Sequence, residues 1–151
     1  MPFETVVRLI KYGSSEYEDE LRLRDDVLRK PLGLSLFAEN LDAEKRDTHI
    51  GAFIEGSLAG VLVLAPCREG CFKMRQVAVS APLRRHGIGR QLVAYAEAYA
   101  CDTGYREIVL NARRTAEAFY PHLGYSAEGS EFTEVEIPHI KMRKALEKER
   151  H

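Results

Sequence analysis

The chain has 151 residues, 45% hydrophobic and 30% charged, with a formal net charge of −1 at pH 7. That length suits a single domain with a sizeable core, predicted here to span residues 1–151. A near-neutral balance gives no global field favouring nucleic acid or an anionic membrane, and no apolar run approaches the roughly 18 residues that cross a bilayer.

The first residues, Met1-Pro2-Phe3-Glu4, show no basic segment leading into a long apolar one. No secretory signal is expected, and a cytoplasmic location follows. Residues 3–10 alternate loosely and are rich in Val and Ile, so they predict a first strand. Gly13, Ser14 and Ser15 break the chain, and either serine can cap a helix that starts near Glu16. Tyr17, Leu21 and Leu28 recur on one face of that helix, and Pro31 and Gly33 end or kink it. Residues 40–47 are polar and predict a loop. Residues 48–55 and 58–65 predict two strands joined by Gly56-Ser57, and residues 66–70 turn the chain into a third antiparallel strand at 72–79.

Next comes Arg84-Arg85-His86-Gly87-Ile88-Gly89-Arg90, which opens an amphipathic run to residue 100. Ile88, Leu92, Ala96 and Tyr99 form its apolar stripe and Gly104 stops it. Strand, glycine-containing loop and helix in that order make a phosphate cradle. The glycines let the backbone turn sharply, and the helix N-terminus offers unpaired N–H groups and partial positive charge. The alternative is a strand-to-helix connection that happens to hold two glycines. Residues 107–112 predict a buried strand, parallel to 72–79 because a helix intervenes. Thr115 would cap a short helix at 116–122, ended by Gly124, and residues 125–128 and 136–142 predict the last strands.

Arg84-x-x-Gly87-x-Gly89 resembles the pyrophosphate-binding motif of the GNAT superfamily of acetyl-CoA-dependent N-acetyltransferases. Ala116-Glu117-Ala118-Phe119-Tyr120-Pro121-His122-Leu123-Gly124-Tyr125 is similar to a second motif of that family, in the family's order and separation. The resemblance covers about residues 6–145. It implies an α/β (α+β) GNAT-like fold: a central, mostly antiparallel mixed sheet, one parallel pair splayed at a cofactor cleft, and about four flanking helices. It also implies acetyl-CoA as cosubstrate, an amine acceptor, no metal, and a possible homodimer.

By that resemblance, the cofactor contacts are Val77, Ala78, Val79, Arg84, Arg85, His86, Gly87, Ile88, Gly89, Arg90, Asn111, Phe119 and Tyr120. Main-chain groups of Val77 and Val79 would pair with the pantetheine amides like an added strand. Tyr120 would donate a proton to the departing thiolate, or else merely pack beside the sulfur. Asn111 would touch cofactor or substrate, or cap its strand. The stretch from Glu134 to Met142 resembles a segment near the acceptor site of some small bacterial members, making Glu134 and His139 catalytic candidates; otherwise it is a solvated charged loop. Arg113 stands where many members carry Asn, and a guanidinium cannot accept a hydrogen bond.

Cys67, Cys71 and Cys101 are expected to be reduced thiols, the first two facing each other across a hairpin without zinc-pair spacing. His49, His86 and His122 lack a metal-binding pattern and are expected at the surface or behind the site. The resulting expectation is an N-acetyltransferase working by direct attack on the thioester, the alternative being a non-catalytic acyl-CoA-binding module. A dinucleotide-binding fold fits poorly, because Leu92 occupies the position of its third glycine.

Overall fold

A computed structural model describes residues 4–116, 118–134 and 137–146. Its strands are β1 (Thr5–Ile10), β2 (Thr48–Ile54), β3 (Ser57–Arg68), β4 (Cys71–Val79), β5 (Glu107–Arg113), β6 (Ser126–Glu134) and β7 (Ile137–Ala145); its α-helices are α1 (Ser15–Arg24) and α2 (Ile88–Asp102). The seven strands are ordered β1-β2-β3-β4-β5-β7-β6. β4 and β5 form the parallel pair, and β1–β2, β2–β3, β5–β7 and β6–β7 are antiparallel. The mixed sheet with its one parallel pair matches the sequence expectation, which does not include the insertion of β7 between β5 and β6.

The helix count does not. Among the described residues there are two α-helices, and the remaining helical turns are short. The helix expected at 116–122 is replaced by 3-10 turns at Arg114–Ala116 and Pro121–Leu123, with Thr115 inside the first. Pro121 has no N–H for a continuing ladder, and so short a segment cannot offset helix nucleation. The β2–β3 turn is Glu55-Gly56 rather than Gly56-Ser57: Ile54 pairs with Ser57, and Glu55 and Gly56 have φ of 50° and 81°. Two left-handed residues match the twist of the flanking strands. β3 and β4 also run further than expected, leaving Glu69-Gly70 as their turn. β6 continues to Glu134, beyond the expected end at 128; the expected strand residue Glu136 lies outside the described residues.

The chain forms two compact units, Met1–Ala65 with Gln76–Ala96 and Pro66–Arg75 with Glu97–His151. In the first, Ser14 caps α1 by accepting from the Tyr17 N–H at 3.2 Å. Tyr17, Leu21 and Leu28 then face a core with Ile10, Phe53 and Val61. Past Arg24 the chain loosens into a π-helical turn, Asp25–Arg29, and a 3-10 turn, Lys30–Leu32, which ends at Gly33 with φ of 72°. Gly60 lets the first turns of α2 lie directly on β3. A Cβ there would come within 3.0 Å of Ile88 Cγ2, 3.1 Å of Leu92 Cδ1 and 3.3 Å of the Ala78 carbonyl.

In the second unit, Phe72 stacks on Tyr105 with centroids 3.6 Å apart, and Ile108, Val109, Leu110, Ala112 and Met142 are buried. The Cys71 thiol is buried, which with its neighbour Cys67 pushes its pKa up to about 11. Both are free thiols.

Candidate active site

The predicted cofactor loop lies in the first unit and is built by backbone. Pairing of β4 with β5 covers Cys71 to Met74 only. Gln76 then adopts φ of 56°, and Val77, Ala78 and Val79 follow. Ala78 is buried while Val77 and Val79 are half-buried. The Ser80 N–H donates to the Ala59 carbonyl at 2.8 Å, so the strand is still tethered as it ends. Arg84 is extended, and Arg85 and Gly87 are both left-handed, with φ of 68° and 79°. The first α2 bond runs from the Gln91 N–H to the Gly87 carbonyl at 3.1 Å. The N–H groups of Ile88, Gly89 and Arg90 have no helical carbonyl behind them, and the dipole there favours an anion. The side chains of Arg84, Arg85, His86 and Arg90 are exposed around this end, whereas Ile88 is a buried anchor.

Asn111, Phe119, Tyr120, Glu134 and His139 lie in the second unit. Asn111 Nδ2 donates to Glu134 Oε2 at 3.0 Å, so two predicted site residues are bonded. Register places more on that face. Arg113 pairs with His139, His139 with Phe132, and Asn111 with Lys141, so these side chains share one side of β5, β7 and β6. His139 is buried, stacked on Phe132 with centroids 6.0 Å apart. Its Nδ1 lies 2.7 Å from the Ile137 carbonyl, which can only accept. The ring therefore carries its proton on Nδ1, and a neutral His139 presents a lone pair at Nε2.

Tyr120 is buried between Phe119, 5.0 Å away by centroids, and Tyr125, at 5.8 Å. Its carbonyl accepts from the Leu123 and Tyr125 N–H groups, which fixes the turn. Burial pushes the phenol up to about 12, so it is fully protonated at neutral pH. Tyr125 donates to Glu97 at 2.9 Å, and Lys144 binds the other Glu97 oxygen at 2.9 Å.

One cluster escapes sequence inspection. His49, expected at the surface or behind the site, is 2% exposed. It joins Tyr17, Glu20, Arg24 and Glu44 in the first unit. Arg24 Nη1 donates to Glu20 Oε2 at 2.7 Å and Glu44 Oε1 at 2.8 Å, and Nη2 donates to Glu44 Oε2 at 2.5 Å. Tyr17 donates to Glu44 at 2.7 Å. His49 Nδ1 lies 2.9 Å from Glu20 Oε2, and Nε2 lies 2.9 Å from the Glu44 carbonyl. Both partners accept, so both ring nitrogens carry protons and His49 is an imidazolium. Burial opposes that charge, but the bonds to Glu20 and Glu44 outweigh it and raise the His49 pKa. Burial alone would likewise raise Glu44, but Arg24 holds its carboxyl below the usual range. Two cations and two carboxylates thus balance. The carboxylates and histidine lie close enough to suggest a metal group, but the guanidinium fills the space between the acids and the imidazolium has no lone pair to give. The sequence signal available was Glu20 and Arg24 at i,i+4; nothing local points to Glu44 or His49. The polar loop expected at 40–47 is a 3-10 turn, Asp42–Arg46, that carries Glu44 inward.

The family model for the acetyltransferase (GNAT) domain matches residues 26–146. The chain belongs to the GNAT acetyltransferase family. Enzymes of this family pass an acyl group from coenzyme A to an amine. A GNAT-like architecture also emerges from solved structures. An acyl-CoA N-acyltransferase from Pseudomonas aeruginosa is 26% identical, with a TM-score of 0.78, covering 95% of this chain and 99% of that one. A crystal structure from Lactobacillus plantarum shares the fold at 21% identity and a TM-score of 0.80, covering 97% and 99%. An aminoglycoside 6'-N-acetyltransferase complexed with coenzyme A shares it at 18% identity and a TM-score of 0.77, covering 97% and 99%. The uncharacterized protein YyaT of Bacillus subtilis is 31% identical over 74 residues, 49% of this chain and 50% of that protein. The match thus spans about half of that curated relative. Within this GNAT chain, Tyr17, Glu20 and Arg24 precede the residues matched by the family model, and Glu44 and His49 fall inside them.

Proposed function

We propose that this enzyme transfers an acetyl group from acetyl-CoA to a primary amine by direct attack on the thioester. The observation that carries the reading is the start of α2: left-handed turns at Arg85 and Gly87, then three N–H groups at residues 88–90 without helical partners. These donors suit the cofactor pyrophosphate, with exposed Arg84, Arg85, His86 and Arg90 adding charge. Main-chain groups around Ala78, from Val77 and Val79, lie beyond the last β4–β5 pair and serve the pantetheine amides.

In the transfer, the amine nitrogen bonds to the thioester carbon and the carbon–sulfur bond breaks. The thiolate takes a proton from the Tyr120 hydroxyl. With a phenol near 12 against a thiol near 8.5, that step is uphill by about 5 kcal/mol, feasible where product release follows. The incoming ammonium loses one proton to Nε2 of His139 before attack, and the nitrogen sheds a second as the amide forms, which restores the Tyr120 phenol. Glu134, held by Asn111, attracts the cationic acceptor, and Phe119 packs beside Tyr120.

Thermal melts with acetyl-CoA, CoA, ATP and NAD test the cofactor. At 100 times its dissociation constant a ligand adds roughly 2.7 kcal/mol, several degrees here. A shift with both CoA species alone supports the cradle; no shift at saturating CoA removes it. Thiol release with an amine panel then tests transfer. Tyr120→Phe should lower kcat by about 10²-fold with CoA affinity kept, and an unchanged kcat would return Tyr120 to packing.

A further inference from the structure

We infer that the buried Glu20–Arg24–Glu44–His49 network is a clamp on the β4 backbone at Gln76, which makes Arg24 a positioning residue for the cofactor strand. The inference rests on the reading above that Val77 and Val79 hold the cofactor. Gln76 is a non-glycine residue with φ of 56°, inside a strand and directly before Val77. For an L-residue other than Gly, Asn or Asp that conformation costs about 1–2 kcal/mol, and it persists only where the surroundings over-determine it. A single left-handed residue in a strand also re-aims the groups that follow, as a bulge does.

Arg24 supplies the restraint. Its Nε donates to Gln76 Oε1 at 3.3 Å, while both terminal nitrogens are held by Glu20 and Glu44. The guanidinium is 1% exposed and has no alternative position that keeps those bonds. Glu20 is in turn held by His49, and Glu44 by Tyr17. The chain from α1, the 42–46 turn and β2 thus converges on one amide of β4. A glycine or asparagine at 76 would hold the φ more easily. Glutamine instead has the length to reach Nε, which gives the side chain its purpose. The metal grouping of Glu20, Glu44 and His49 finds the same explanation, since those residues fix a guanidinium.

The test is hydrogen exchange of the amides at 77–79 in the full chain, with Gln76→Leu, Gln76→Glu, Arg24→Lys and the double variant Gln76→Leu/Arg24→Lys. The clamp predicts exchange at least about tenfold faster in Gln76→Leu, with α2 unaffected, and restoration by Gln76→Glu, which still accepts from Nε. It also predicts that the double variant is no worse than its single parents, because Arg24 acts through Gln76. Where Arg24→Lys does not fold, Gln76→Leu and Gln76→Glu decide alone. Unchanged exchange in Gln76→Leu, or the same acceleration in Gln76→Glu, overturns the clamp. Acetyl-CoA binding separates the two readings. If wild type binds and Gln76→Leu shows both faster exchange and at least about tenfold weaker binding, clamp and purpose hold together. If wild type is not stabilised by CoA, the cofactor reading fails, while the exchange result still decides the clamp. Faster exchange with undiminished CoA binding and kcat overturns the positioning role.

Discussion

The proposed cofactor loop at 84–90 and the buried network around Arg24 both carry arginine, and they use it in opposite ways. Arg84, Arg85 and Arg90 are exposed, and the shape of the loop comes from backbone dihedrals and a helix end. Arg24 is buried with every nitrogen engaged, and the geometry comes from its side-chain partners. An exposed charge near water is replaceable, because solvent screens it and its side chain loses entropy when held. A buried one is not, because removing a partner leaves charge without water. Charge density alone therefore says little about which arginine matters; the dielectric around it does.

The largest effect should come from breaking the network. Glu44→Ala removes two bonds to Arg24 and one from Tyr17, leaving a buried guanidinium short of acceptors. Denaturant titration should show a loss of about 3–5 kcal/mol. A loss below about 1 kcal/mol would mean that water reaches the cluster, and the contrast with the loop would collapse.

Next is the pH dependence that the imidazolium imposes. The folded-state pKa of His49 is raised above the ordinary histidine value, against burial, by Glu20 and Glu44. A raised pKa means that the folded state binds the proton more tightly. The stabilisation is therefore full below about pH 6.5 and is lost as pH rises through the folded value. Melting temperatures across that range should fall toward alkaline pH, and His49→Gln should flatten the curve. Stability that rises with pH in the wild type would rule out a charged His49.

How much of each region is legible in sequence follows the same divide. The loop's geometry is carried by neighbours in the chain: a strand, two glycines, and an apolar stripe from Ile88 to Ala96. It can therefore be read as a local pattern, and so can the strand order up to the crossover. The network joins residues up to 52 positions apart, from Arg24 to Gln76. No spacing rule connects Glu44 or His49 to α1, and a histidine between Thr48 and Ile50 at the start of a strand carries no local sign of burial. Residues 116–122 fail for a third reason. Their helical pattern is real but too short to override Pro121, so the segment settles into turns. Within the second motif, Tyr120 is held by turn hydrogen bonds that need no helix.

A smaller effect should come from the seat of the loop. Gly60→Ala brings a methyl within 3.0–3.3 Å of Ile88, Leu92 and the Ala78 carbonyl, all buried. Overpacking of this kind costs about 1–3 kcal/mol and should lift the first turn of α2. Weaker CoA binding out of proportion to the stability loss would show that α2 must lie close to β3 for the cradle to form. Stability lost with CoA affinity intact would show that the loop holds its shape without that seat.

The smallest effect should be at Arg85, where the two ways of using arginine can be separated in one residue. Its φ of 68° is left-handed and its side chain is exposed. Arg85→Gly removes the guanidinium and at the same time relieves the backbone by about 1 kcal/mol. Arg85→Ala removes the same charge and keeps the strain. If backbone N–H groups bind the pyrophosphate, Arg85→Gly should be as stable as wild type or slightly more so, and its CoA dissociation constant should rise less than about fivefold, the size of one exposed ion pair. Denaturant titration gives the stability, and calorimetric titration at two salt concentrations gives the affinity, since an exposed contact weakens with salt and an amide cradle in a helix end does so less. A rise well beyond fivefold in both variants, erased at high salt, would make Arg85 a primary phosphate ligand, and the exposed arginine would then matter to its site as the buried one matters to Gln76.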